Sequence, residues 1–134
     1  MKDRETLFRE LATALFERLI ARPEVVDQIR AAGEVFRFAS RDPEVEVTVS
    51  LRGDVPQLIF GPSDLRPDFT VSAAARTLHR VWLGEEKLRD ALFEGGIDVE
   101  GPLLKAMSLI PLFREAERIY PEILDQHGVP RDWL

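Results

Sequence analysis

A chain of 134 residues, 45% hydrophobic and 31% charged, is long enough for one domain with a single apolar core and too short for two. It has no cysteine, which removes disulfides, thiolate catalysis and cysteine metal sites, and its net charge of −6 opposes binding to nucleic acid and to anionic membrane surfaces. The apolar runs are only a few residues long, against about 20 for a membrane span. The charged opening Lys2-Asp3-Arg4-Glu5 is unlike a secretory signal. A cytoplasmic protein without stable membrane insertion is expected.

Residues 1–32 read as helices. Leu7, Leu11, Leu15 and Leu19 form one column at i+4 spacing, and Phe8, Ala12, Phe16 and Ile20 form its neighbour. Together they make a broad apolar face with charged margins. Pro23 stops or bends this helix, and a short second one over 24–32 ends at Gly33.

The period then changes from 3.6 to 2. Phe36 and Phe38 share a face, and Val45, Val47, Val49 and Leu51 alternate with Glu44, Glu46, Thr48, Ser50 and Arg52. Turns at 41–43 and 53–54 and a loop at 61–64 separate two further short strands, one over 57–60 and one carrying Phe69 and Val71. Short strands with short connections predict a four-stranded antiparallel meander over 34–72.

Helices follow over 73–94, with Ser72 as the expected N-cap and Ala74, Leu78, Val81 and Trp82 on one face. Gly84 and Gly95-Gly96 end these helices, and Ile97 and Val99 alternate in a fifth strand over 96–100. Gly101-Pro102 opens a C-terminal helical segment over 102–126, which Pro111 should kink or split and Pro121 should break. The whole chain, 1–134, reads as one α+β domain.

No catalytic or metal-binding residue is expected. The two histidines lack metal-motif spacing: His79, beside Arg80, reads as a surface or interface residue, and His127 as a cap at a helix C-terminus. No serine lies in a nucleophile elbow, and the glycines of 95–101 lack the Lys-Ser/Thr of a phosphate loop. Residues 73–93 have a loose helix-turn-helix pattern, but the second helix is too acidic to lie against phosphate. What remains is apolar: Leu103, Leu104, Met107, Leu109, Ile110, Leu112 and Phe113 exceed one helical stripe. Such a helix is buried all round, lines a cavity or meets a partner.

The order of these segments resembles the sterol carrier protein-2 (SCP-2) sterol-binding domain family. The likeness spans residues 36–115 and rests on several segments in order. Asp68-Phe69-Thr70-Val71-Ser72 leads into a helix with Leu78 and Trp82-Leu83-Gly84. Ala91-Leu92-Phe93 and Gly95-Gly96-Ile97-Asp98-Val99-Glu100-Gly101 follow, then the apolar segment 103–109.

The resemblance implies a five-stranded, mostly antiparallel sheet covered on one face by helices. It also implies a tunnel between them for a fatty acyl, sterol or isoprenoid ligand, used for carriage without catalysis or cofactor. Carried onto this chain, the implied lining is Val47, Val49, Phe60, Phe69, Leu78, Trp82, Leu92, Phe93, Leu103, Met107, Ile110 and Phe113. The alternative is an accessory protein whose apolar surface meets a lipid-, quinone- or steroid-metabolising enzyme, or pairs weakly as a homodimer. Two features depart from the family pattern: Asp98 and Glu100 replace basic residues in the late strand, and Pro111 interrupts the final helix. The C-terminus Arg131-Asp132-Trp133-Leu134 is not a peroxisomal address, so a bacterial protein is the natural expectation.

Overall fold

The structure, a computed structural model, describes residues 2–134. Helix α1 (Arg4–Ile20) begins where Asp3 caps it, its carboxylate accepting from the Thr6 N–H at 2.7 Å. Its buried residues are Phe8, Leu11, Ala12, Leu15, Phe16 and Leu19, the apolar face that the i+4 columns predict. Helix α2 (Pro23–Ile29) starts on Pro23, at a position where the missing N–H costs nothing, and a 3-10 turn (Arg30–Ala32) carries it to Gly33.

Five strands follow the predicted alternation: β1 (Val35–Arg41), β2 (Val45–Ser50), β3 (Gln57–Phe60), β4 (Phe69–Ala74) and β5 (Ile97–Glu100). Their spatial order is β3-β2-β1-β4-β5. Strands β1, β2 and β3 are a true meander, but the expected fourth member departs from it: β4 pairs parallel with β1, Phe36 opposite Phe69 and Phe38 opposite Val71. Strand β5 then pairs antiparallel with β4. The sheet is therefore mostly antiparallel with one parallel pair at its centre.

The parallel pair exists because residues 61–68 cross the outer face of the sheet instead of making a hairpin. Arg37, on that face, holds the crossing: its guanidinium donates to the carbonyls of Ser63 (3.3 Å) and Leu65 (2.8 Å) and pairs with Glu46 at 3.0 Å. Asp68 then latches the start of β4 to the start of β1, accepting from the N–H groups of Glu34 (2.8 Å) and Val35 (3.1 Å). Gly33 makes room for this latch. It has φ +140°, and a Cβ there would lie 2.6 Å from the Asp68 carboxylate.

Helix α3 (Ala75–Trp82) follows β4 directly; Ala74 stands at its N-cap and Ser72, the expected cap, lies inside the strand. Helix α4 is short (Leu88–Phe93). The C-terminal segment is two helices, α5 (Leu103–Met107) and α6 (Ile110–Gln126), which divide at Ser108-Leu109. Pro111 thus opens α6 and does not kink it. Pro121 lies inside α6 without breaking it. Packing explains its survival: Ile119, Tyr120, Ile123 and Leu124, on both sides of the proline, are all buried.

Candidate functional site

The inner face of the sheet carries Phe36 and Phe38 from β1, Val45, Val47 and Val49 from β2, and Phe69 and Val71 from β4, all buried. Helices α1, α3 and α6 pack over this face and add a second aromatic layer. Phe16 meets Phe38 at 5.0 Å between ring centroids, and Phe8 stacks on Trp82 at 5.7 Å. Trp82 stands edge-on to Phe16 (6.1 Å) and to Tyr120 (5.3 Å), and Phe113 lies 6.3 Å from Phe38. Such pairs contribute beyond their buried area, on the order of 0.5–1.5 kcal/mol each.

Between α1, α3 and the sheet lies an apolar cleft lined by Phe8, Ala12, Phe16, Phe38, Ser40, Val45, Val47, Leu78 and Trp82. Its volume is about 10 Å³, roughly one water molecule, so the side chains themselves close it. The hydroxyl of Ser40, the polar residue of this lining, is spent on the adjoining turn. It donates to the Pro43 carbonyl at 2.7 Å and accepts from the Val45 N–H at 3.1 Å. The cleft therefore offers apolar contact with aromatic walls.

A second concavity opens on the surface between α4 and α6. It measures about 440 Å³ and is lined by Lys87, Leu88, Arg89, Ile110, Phe113, Arg114 and Glu117. Phe113 stands between the two: it faces the groove, and its ring packs on Phe38, a wall of the inner cleft.

The twelve residues of the expected lining divide accordingly. Val47, Leu78 and Trp82 meet at the inner cleft, and Ile110 and Phe113 at the groove. Val49, Phe60 and Phe69 share the helix-covered sheet face, where Phe69 stacks on Phe36 at 5.5 Å. Leu92 is half-buried against the core, and Met107 is half-buried on α5. Phe93 (73% exposed) and Leu103 (45%) point to solvent and line neither space. Phe93 ends α4 and Leu103 begins α5, each on a side of its helix that no other element covers, and Leu104 is exposed beside Leu103.

Six of the nine residues that line the cleft are missing from that expectation, Phe8, Ala12, Phe16 and Phe38 among them. Their signal was present in the i+4 column of α1 and the alternation of β1. Only the docking of α1 across the sheet makes them a lining.

His79 is not a surface residue. It is fully buried on α3; its Nδ1 accepts from the Tyr120 hydroxyl at 2.7 Å and its Nε2–H donates to the Arg131 carbonyl at 2.6 Å. A carbonyl can only accept, so Nε2 carries a proton; in the neutral ring, which burial favours, Nδ1 is then the acceptor for the Tyr120 hydroxyl. Burial pulls the His79 pKa below its ordinary 6.5, although the Arg131 carbonyl and Glu85 act against this, and burial pushes the Tyr120 phenol far above its ordinary range. Trp133 lies edge-on to His79 at 6.2 Å and close to Phe8 at 6.4 Å. The network thus ties the C-terminal residues to α1, α3 and α6. His127 caps α6 as expected, its ring near the Ile123 carbonyl at 2.9 Å.

Among the described residues, no group of three or more His, Asp or Glu side chains is placed to hold a metal ion, and no helix is long and apolar enough to cross a membrane.

Solved structures with this arrangement point the same way. The sterol carrier protein domain 2 of Helicoverpa armigera superposes with a TM-score of 0.66 at 20% identity, covering 87% of this chain and 94% of that one. A sterol carrier protein 2 crystal structure gives 0.62 at 20% identity over 83% and 97%. A protein described as UbiJ-SCP2, a ubiquinone synthesis protein, gives 0.60 at 18% identity over 88% and 97%. At these identities the likeness establishes the fold. The family model described as the SCP-2 sterol transfer family matches residues 14–114, which run from α1 through all five strands into α6, and the chain accordingly belongs to that family.

Proposed function

We propose that this protein binds and carries a hydrophobic, lipid-like ligand of the fatty acyl, sterol or isoprenoid type between its sheet and helices, without making or breaking bonds. The observation that carries the proposal is a row of packed aromatic rings that links two separate spaces. It runs from the closed cleft at Phe8, Phe16, Phe38 and Trp82, past Phe113, to a groove open at the surface. Each methylene moved from water into such surroundings is worth about 0.8 kcal/mol. A long chain thus repays the displacement of the aromatic side chains that fill the cleft. Membership of a sterol transfer family supports the same reading.

The test is native mass spectrometry of the protein as purified, followed by titration with fluorescent fatty acids. Retained lipid, or saturable binding that unlabelled lipid displaces, is expected. Absence of both, from short to long chains and with sterols, refutes carriage.

A second reading has its own support. The fold likeness to a protein described as serving ubiquinone synthesis, with Phe93 and Leu104 exposed, fits an accessory protein that meets a lipid-metabolising enzyme. A chain that binds no lipid but self-associates, or binds such an enzyme through Phe93 and Leu104, favours this reading.

A further inference from the structure

We propose that the hydrophobic ligand enters and leaves the inner cleft over Ser40 and Val45, through a mouth between the first turns of α1 and the β1–β2 turn. The inference rests on the lipid-binding reading above and adds to it the route and the residues that bound it.

Shared lining is the first argument. A concavity of about 370 Å³ lies on the surface between Glu5 and Arg9 of α1, Glu44 at the β1–β2 turn, and Gly61-Pro62 after β3. Its lining includes Ser40 and Val45, and these two residues also line the inner cleft. No aromatic side chain lines the concavity. The groove between α4 and α6 shares no residue with the cleft, and both Phe113 and Phe38 stand between the two. A chain entering from that groove has to move two phenylalanine rings. One entering at the mouth first meets a valine and a serine.

Exposure is the second. Ser40 and Val45 are each 8% exposed, whereas none of the other seven residues of the cleft exceeds 3%. The cleft is therefore nearest to solvent at the two residues that it shares with the mouth.

The freedom of the two rims is the third. On the helix side, Arg9 pairs with Glu5 at 3.0 Å, within α1. On the sheet side, the Ser40 hydroxyl donates to the Pro43 carbonyl and accepts from the Val45 N–H, and Glu46 pairs with Arg37. Each rim is thus held to its own element. Among the described residues, no hydrogen bond or ion pair joins the start of α1 to the turn across the mouth. Helix and turn can part there without breaking a polar contact, and widening at Val45 opens the cleft.

The absence of cysteine makes the route testable by single-site capping. Glu44→Cys lines the mouth and Lys87→Cys the groove, and both positions are exposed, so both variants are expected to fold. Each is coupled to a biotin-bearing methanethiosulfonate and capped with monomeric streptavidin. Entry and release of cis-parinaric acid are then followed by stopped-flow fluorescence. The cap on Glu44→Cys should slow both rates by about tenfold or more and leave the affinity nearly unchanged, because an obstructed route raises one barrier seen from both sides. Reductant, which removes the cap, should restore the rates. The cap on Lys87→Cys should change neither rate. Rates that the cap on Glu44→Cys leaves unaltered, or that fall equally with the cap on Lys87→Cys, overturn this inference while lipid binding stands. If the uncapped protein does not bind the probe, both readings fall.

Discussion

Replacing His79 with Phe isolates the buried network that ties the C-terminal residues to the helices. The ring volume is largely kept, so the edge-on contacts with Tyr120 (5.4 Å) and Trp133 (6.2 Å) survive in outline. Two hydrogen bonds are lost. The Tyr120 hydroxyl is left without an acceptor in a fully buried position, at about 1–3 kcal/mol. Arg131 is exposed, so water can replace the donor to its carbonyl, and that loss is nearer 1 kcal/mol. The total, about 2–4 kcal/mol, lowers Tm by on the order of 10 °C in a chain of this length.

Two controls separate the loss of the network from a simple loss of packing. His79→Phe/Tyr120→Phe removes the stranded hydroxyl and should recover at least about 1 kcal/mol relative to the single variant. The acid limb of stability gives the other. Folded His79 is held neutral, whereas unfolded His79 titrates near its ordinary 6.5. Its contribution is therefore fully present above pH 6.5 and is lost as pH falls below that value, because the unfolded chain binds the proton first. The slope approaches about 1.4 kcal/mol per pH unit and levels off once the folded state is protonated as well. Urea denaturation across this range should show that component in wild type and not in His79→Phe. A single variant that costs under about 0.5 kcal/mol, or an unchanged acid limb, refutes the network as described.

Other outcomes follow from the same geometry. Phe38→Ala empties the junction of the inner cleft and the Phe113 wall, and should cost about 3–5 kcal/mol in chemical denaturation. Gly101 has φ +113°, and a Cβ there would lie 2.9 Å from the Asp68 carbonyl oxygen and from Phe69 Cβ; Gly101→Ala should cost about 2 kcal/mol or more, read as a fall in Tm. Arg37→Met releases the carbonyls of Ser63 and Leu65, so hydrogen exchange over 61–68 should accelerate well before the sheet is affected. The N–H groups of Val35 and Glu34 hold the Asp68 carboxyl below its ordinary 3.8. The stability it confers is present above that pH and lost as pH falls through it, and Asp68→Ala should blunt this acid component.

Much of the fold was legible residue by residue. The i+4 columns of 7–20 became the buried face of α1, and the alternation of 45–51 became β2 with its odd-numbered valines inward. Ile97 and Val99 became β5. These signals are local: a period of 3.6 or 2 states which side of a segment is dry, whatever it later packs against. The candidate site was less legible. Val47, Leu78 and Trp82 were found because they lie on apolar faces, but so do Phe93 and Leu103, which remain exposed. Hydrophobicity alone does not tell an apolar residue that meets a neighbour from one on a helix of five or six residues that no neighbour covers.

What the sequence by itself determined is the list of elements, their inward faces and the absence of thiol chemistry. Tertiary structure alone decided three things. Strand β4 lies parallel beside β1, because backbone groups are chemically alike in every strand. The choice of neighbour was made by Arg37 gripping the crossing loop and Asp68 latching two strand starts, contacts between residues about 30 positions apart. Pro121 stays helical because packing on both sides outweighs one missing hydrogen bond. His79 can be buried because Tyr120 and Arg131, 41 and 52 positions away, supply the partners that a polar side chain needs in a dry interior, and that burial holds its pKa below the ordinary 6.5.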